Sequence, residues 1–126
     1  MEDTYEVRPV ATVRRNEHDA DGPCVIEVRP EFELALLGLE AGDRIQVIFW
    51  MHKLDEGRRQ VLQGHPRGDR SRPLRGVFAL RSPMRPNPMG STEVTIRQVD
   101  GNVLTVEGLD ALDGSPVIDI KMVARA

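Results

Sequence analysis

Three prolines within six residues, Pro83, Pro86 and Pro88, constrain this chain more than any other feature of its sequence. Each fixes φ and removes a backbone donor, and each pushes the residue before it, Ser82, Arg85 or Asn87, towards extended geometry. A helix cannot run through Arg81–Gly90 (Arg-Ser-Pro-Met-Arg-Pro-Asn-Pro-Met-Gly), and a central strand there would carry gaps in its hydrogen-bond ladder. The segment reads instead as a stiff, extended loop that carries Arg81, Arg85 and Asn87 and closes at Gly90. Such a loop loses little entropy when a ligand arrives, which favours a binding site. A plain rigid turn between strands would explain the prolines but not the polar side chains set among them.

The remainder of the chain has to support that loop with a modest core. With 126 residues, 40% hydrophobic and 29% charged, there is material for one globular domain, 1–126, and no internal repeat marks a second. No apolar run approaches the ~20 residues needed to span a bilayer. The acidic start, Met-Glu-Asp-Thr-Tyr-Glu, lacks the basic and then apolar order of a signal peptide. Cys24 stands alone, so no internal disulfide or structural zinc site can be built on it. A reducing cytoplasm is the expected location, and a small buried hydrophobe the expected role of the thiol. His18, His52 and His65 show no metal-ligand spacing, and no metal is expected.

Charge is unevenly spread. The chain carries a net charge of −3, yet its Arg58–Arg85 segment holds Arg58, Arg59, Arg67, Arg70, Arg72, Arg75, Arg81 and Arg85 against the single acid Asp69. A basic segment on an acidic body is what a polyanion-binding face looks like, and the planar guanidinium suits phosphate and base contacts. A solvated loop whose charge only aids solubility accounts for the asymmetry equally well, so charge alone decides nothing.

In chain order, Val7–Arg15 reads as a first strand with Pro9 at an edge, and Asn16–Pro23 as a loop. Cys24, Ile26 and Val28 alternate with Val25, Glu27 and Arg29, the period of a half-buried strand. Pro30–Leu39 sets Phe32, Ala35, Leu36 and Leu39 at helical spacing ahead of Gly42, which predicts one short amphipathic helix. Ile45–His52 is nearly all apolar and is the expected central strand, with His52 and Lys53 at its exit. Leu54–Pro73 is a loop of a length that is usually functional or mobile. A strand is expected over Gly76–Arg81, then a hairpin of Thr92–Val99 and Val103–Glu107 about Asp100-Gly101-Asn102. Asp110–Pro116 is a turn with two acids, and Val117–Val123 the last strand. Six to seven strands and one short helix predict an all-β barrel or sandwich, a small closed or pseudo-barrel foremost.

Four blocks then carry a family resemblance: Leu36-Leu-Gly-Leu-Glu, Val47-Ile-Phe-Trp-Met-His, the run from Gly76 through Arg-Ser-Pro-Met-Arg-Pro-Asn-Pro-Met to Gly90, and Leu109-Asp-Ala-Leu-Asp-Gly-Ser-Pro-Val-Ile-Asp-Ile-Lys. In that order, over Arg8–Lys121, the chain resembles the TsaA-like, or TrmO-type, family of S-adenosylmethionine-dependent tRNA methyltransferases. The resemblance implies a barrel-like catalytic domain, often dimeric. It also implies methyl transfer to the exocyclic amine of a threonylcarbamoylated adenosine beside the anticodon of threonine tRNA. Carried over, the cofactor contacts fall on His52, Lys53, Arg81, Ser91, Asp110, Ala111, Leu112 and Asp113. Arg85, Asn87 and Gly90 would support the site, and Arg67, Arg70, Arg72 and Arg75 would hold RNA.

The chemistry is compatible with that assignment. S-adenosylmethionine presents a sulfonium cation, a carboxylate and an adenine, so its pocket needs an acid, a guanidinium or ammonium, and an apolar wall. Either Asp110 or Asp113 is expected to face the cation or ribose, the other to stabilise the turn through its own backbone. Arg81 or Lys53 would meet the carboxylate. Methyl transfer from an activated donor needs in-line alignment and removal of one proton, for which Asp113 and Asp119 are the candidates. Two other readings stay open: a non-catalytic RNA- or nucleotide-binding module, and a methyltransferase with a different acceptor.

Overall fold

Strands close into a barrel when one row of each faces inward, and here the inward rows are almost wholly aliphatic. The computed structural model describes residues 3–16, 18–19, 22–53 and 56–126. Its barrel strands are β1 (Ala11–Arg14), β2 (Cys24–Val28), β3 (Arg44–Trp50), β6 (Met89–Asp100), β7 (Val103–Glu107) and β8 (Pro116–Ala124). All pairings are antiparallel, in the closed order β1-β2-β7-β6-β3-β8. Between β3 and β6 the chain leaves the barrel and forms a small hairpin of β4 (Gln63–Gly64) and β5 (Arg75–Gly76).

The core follows the period of two. Val13, Ile26, Ile45, Val47, Ile96, Leu104, Val106 and Val117 are completely buried, with Cys24, Val28, Phe49 and Val94 nearly so. Each such aliphatic side chain removed from water contributes about 1.5–3 kcal/mol, which is how short strands hold a closed sheet. Two polar contacts fix its ends. Buried Asp43 accepts from the backbone N–H groups of Glu40 and Ala126, both at 2.9 Å, tying the start of β3 to the end of β8. At the β6–β7 tip, Asn102 donates to the Val28 carbonyl at 2.7 Å and accepts its N–H at 2.8 Å.

The all-β barrel matches the expectation, and four details differ. The helix is a 3-10 helix, Pro30–Leu36, which buries Leu36 and leaves Ala35 exposed. With three residues per turn, Leu34 and Leu37 eclipse on the outer side and stand 93% and 94% exposed. Gly76–Arg81 is not a strand: only Arg75–Gly76 pairs, and Val77–Ala79 is a 3-10 turn with Val77 buried and Phe78 outside. An apolar run of four residues carries no period, so burial of one residue alone was not legible. β1 is shorter than Val7–Arg15, because Pro9 cannot donate to a ladder. β6 starts earlier than Thr92, at Met89, so Ser91 lies on a strand. Of the expected loops 16–23 and 54–73, residues 17, 20, 21, 54 and 55 lie outside the described residues; the rest of the second holds two short 3-10 turns and β4.

Candidate functional site

Three segments far apart in sequence meet at one end of the barrel: the exit of β3, the proline-rich loop running into β6, and the turn before β8. The first two are joined where Phe49 pairs with Gly90, Trp50 with Met89, and the Met51 N–H donates to the Pro88 carbonyl at 2.8 Å. Gly90 is required there by space, since a Cβ would overlap the Phe49 ring. The second and third are joined by the Thr92 hydroxyl, which donates to the Asp110 carboxylate at 2.7 Å. His52 comes from the first to the third, its Nε2 standing 3.8 Å from the position of a Cβ on Gly114.

The proline-rich loop is stitched down rather than presented whole. Arg85 is half-buried and donates to the carbonyls of Val77 and Leu80, so its fork holds the loop's own approach. Asn87 accepts from Arg59 at 3.2 Å, and Arg59 also donates to the Pro86 carbonyl at 2.8 Å. That guanidinium lies over the Trp50 ring, 5.4 Å from its centroid, a cation–π contact. Arg81 is different: exposed, it donates to the Ser91 carbonyl from the rim. Ser91 itself is half-buried, and its hydroxyl accepts from Gln46 at 2.8 Å.

The acid turn separates its two aspartates. Asp113 accepts the Arg15 backbone N–H at 2.9 Å, while the Arg15 guanidinium donates to the Leu109 carbonyl and to Cys24 Sγ at 3.2 Å. The Gly114 N–H reaches the Val13 carbonyl at 2.8 Å, and the buried Ser115 hydroxyl reaches the Leu112 carbonyl at 2.7 Å. Asp113 therefore ties the turn to the end of β1 rather than bonding its own backbone, and exposed Asp110 is the acid that faces outward. Ala111 is buried, so a ligand can meet only its backbone, whereas Leu112 is 55% exposed and can supply an apolar wall. His52 and Lys53 are exposed on the turn that follows β3, and of the two it is His52 that stands against the acid turn at Gly114.

Asp119 does not join this set. It accepts the Ile120 N–H at 2.9 Å, faces Lys121 at 3.4 Å, and lines a separate groove with Phe32 and Leu36. Cys24 is buried among the core residues, where burial pushes its thiol up and the neighbouring Arg15 only partly offsets that. Arg67, Arg70, Arg72 and Arg75 are all exposed on the excursion outside the barrel. Arg67 has φ 55, and Arg72 lies 3.6 Å from Asp69.

Sequence reasoning missed Thr92, Trp50, Arg59 and Arg15 as parts of this arrangement. Thr92 adjoins a named residue and was within reach. Arg15 had no signal for its place at this turn, because the Leu109 carbonyl and the Asp113 carboxylate it binds are 94 and 98 residues away.

The family described as the tRNA-methyltransferase O N-terminal domain matches residues 8–125. A probable S-adenosyl-L-methionine-binding protein of Methanocaldococcus jannaschii is 43% identical over 119 residues, covering 94% of this chain and 91% of the relative. One so described in Pyrococcus horikoshii is 40% identical over 121 residues, covering 95% and 83%. The crystal structure of TrmO from Pseudomonas aeruginosa superposes with a TM-score of 0.71 at 28% identity, over 96% of this chain and 56% of that one. The chain thus spans most of these relatives but little more than half of the solved structure.

Proposed function

The chain belongs to the family of the tRNA-methyltransferase O N-terminal domain, and on that premise we propose that it binds S-adenosylmethionine at this barrel end. We further propose that it methylates the exocyclic amine of a threonylcarbamoylated adenosine beside the anticodon of threonine tRNA. The observation that carries the reading is the bridge from Thr92 to Asp110, which sets an outward-facing acid beside the Arg81 rim.

The donor set fits the cofactor: an exposed carboxylate for the ribose or the cation, a guanidinium or ammonium for the carboxylate, and an apolar wall. Asp110 takes the first role, Arg81 and Lys53 the second, Leu112 the third, with His52, Ser91 and the Ala111 backbone completing the rim. Asp113 acts from behind by holding the turn. When bound, S-adenosylmethionine supplies an activated methyl group. The chain's part is to orient the amine against it, and the rigid loop limits its freedom; of the two candidate proton acceptors, Asp113 is held by the Arg15 N–H and Asp119 lines a separate groove.

Asp110, Leu112 and Arg81 are exposed on one barrel end, so a second copy of the chain, in a homodimer, is proposed to cover the cofactor. The exposed Arg67, Arg70, Arg72 and Arg75 are proposed to hold the RNA backbone; an anticodon-loop base is already unpaired, so little energy is needed to present it. The cytoplasm is the proposed compartment. Among the described residues no helix is long and apolar enough to cross a membrane.

Calorimetry with S-adenosylmethionine tests the cofactor, and mass spectrometry of tRNA from a deletion strain tests the acceptor. Binding, together with threonylcarbamoyladenosine lacking its methyl group in the deletion strain, is the expected pair of results. Salt-sensitive tRNA binding without cofactor binding would instead mark a non-catalytic RNA module. Cofactor binding with unchanged tRNA would mark a different acceptor.

A further inference from the structure

Phe78 is the feature the proposed cofactor site leaves unused. The other two phenylalanines are packed, Phe49 buried and Phe32 half-buried, while Phe78 stands 88% exposed. Its display is built. Val77 beneath it is buried, with its N–H on the Leu62 carbonyl at 2.9 Å, and the turn closes from the Leu80 N–H to the Val77 carbonyl at 3.1 Å. Arg85 donates to both carbonyls flanking the ring, those of Val77 and Leu80. A ring on so firm a mount has little entropy to lose on contact.

Phe78 lines an open cavity of about 1000 Å³ between the β4–β5 hairpin and the approach to the proline-rich loop. Pro66, Leu80 and Met84 give it an apolar wall, Arg67 and Arg81 are its cationic lining, and among the described residues no carboxylate lines it. Such a surface suits a flat aromatic group that carries negative charge. Bases of unpaired RNA meet that description, and they are held on protein aromatics with arginines on the phosphates. Arg81 belongs to both this cavity and the rim of the cofactor site.

We propose that this cavity is a second nucleotide subsite, in which an unpaired base neighbouring the methylated one stacks on Phe78 while its phosphate meets Arg67. The proposal rests on the reading that the chain acts on tRNA, and it assigns where a flanking nucleotide goes. An apolar partner protein, including a second copy of this chain, would use the ring differently: it would need hydrophobic area, not a π-face.

The test uses the full chain, an anticodon stem-loop RNA and four variants, Phe78→Ala, Phe78→Leu, Phe78→Trp and Arg70→Glu. Fluorescence anisotropy of the labelled RNA should show affinity weakened about tenfold or more by Phe78→Ala and Phe78→Leu. Phe78→Trp should restore it, with an indole emission quenched by RNA beyond any change seen in the wild-type protein. S-adenosylmethionine affinity and thermal unfolding should stay as in the wild type. Wild-type RNA affinity in Phe78→Leu overturns the stacking subsite, and so does a loss that tracks a lower sedimentation coefficient, which would make Phe78 an interface between copies. If Arg70→Glu loses RNA while every Phe78 variant keeps it, the subsite fails and the tRNA reading survives. If the wild-type protein binds no RNA, both fail.

Discussion

The arginines of the barrel end and those of the excursion are the same residue type put to opposite uses. At the barrel end Arg15 and Arg85, with Arg59 reaching in from the start of the excursion, direct their forks at main-chain carbonyls and so act as struts. On the excursion Arg67, Arg70 and Arg75 are exposed and make no side-chain hydrogen bond or ion pair among the described residues. The difference teaches that arginine count says little about ligand binding. Carbonyls that β-pairing leaves unused, as around the prolines, draw guanidiniums inward; a two-residue hairpin with few such groups leaves them in water.

If the barrel end is a braced structure, its tightest contact should be the least tolerant. Gly90→Ala should lower unfolding free energy by about 3 kcal/mol, because the new methyl group meets the Phe49 ring inside a packed sheet. Urea unfolding that matches the wild type would show that the loop is not pressed on the barrel.

The two acids of the turn sharpen the contrast within one segment. Asp113→Ala should cost about 1–2 kcal/mol of stability by freeing the Arg15 N–H. Asp110→Ala should leave unfolding within about 0.5 kcal/mol of wild type and weaken S-adenosylmethionine in calorimetry, as should Arg81→Ala. Equal loss of stability in all three would collapse the distinction between strut and ligand.

Acid titration probes the same contrast through carboxylates. Main-chain N–H groups of Ala126 and Glu40 hold Asp43 below the usual carboxylate range, and the Ser71 hydroxyl and N–H do the same for Asp69. A lowered folded-state value means a stabilising contribution present above the unfolded value, about 3.9, and lost as pH falls through the lower folded one. Asp43→Asn should therefore flatten the acid limb of a stability–pH curve more than Asp69→Asn, because Asp69 is exposed and solvent screens its contacts. The reverse order would make the excursion the braced region.

The smallest effect on folding is expected from reversing charge at Arg67, Arg70, Arg72 or Arg75. Stability should move by no more than about 0.5 kcal/mol, while RNA affinity falls and its logarithmic salt dependence flattens by about one for each phosphate no longer held. S-adenosylmethionine affinity should stay nearly unchanged.

Much of the barrel was legible because burial on one face of a strand imposes a period of two, which Cys24–Val28 and Val103–Glu107 display. The Asp-Gly-Asn tip was legible through turn chemistry, with Gly101 at φ 58. Gly76–Arg81 was misread because its apolar run of four has no period, and what holds it is the fork of Arg85 together with the Leu62 carbonyl.

By itself, then, the sequence determined an all-β domain, a helix-free proline loop and a basic central segment. Those follow from local sterics, alternation and charge, which act over a few residues. Tertiary structure alone decided that Asp113 braces while Asp110 faces outward, that Arg85 and Asn87 are tied down, and that Phe78 stands in water. Each of these depends on hydrogen bonds or packing between segments brought together only when the sheet closes, and no pattern along the chain encodes which donor will reach which carbonyl.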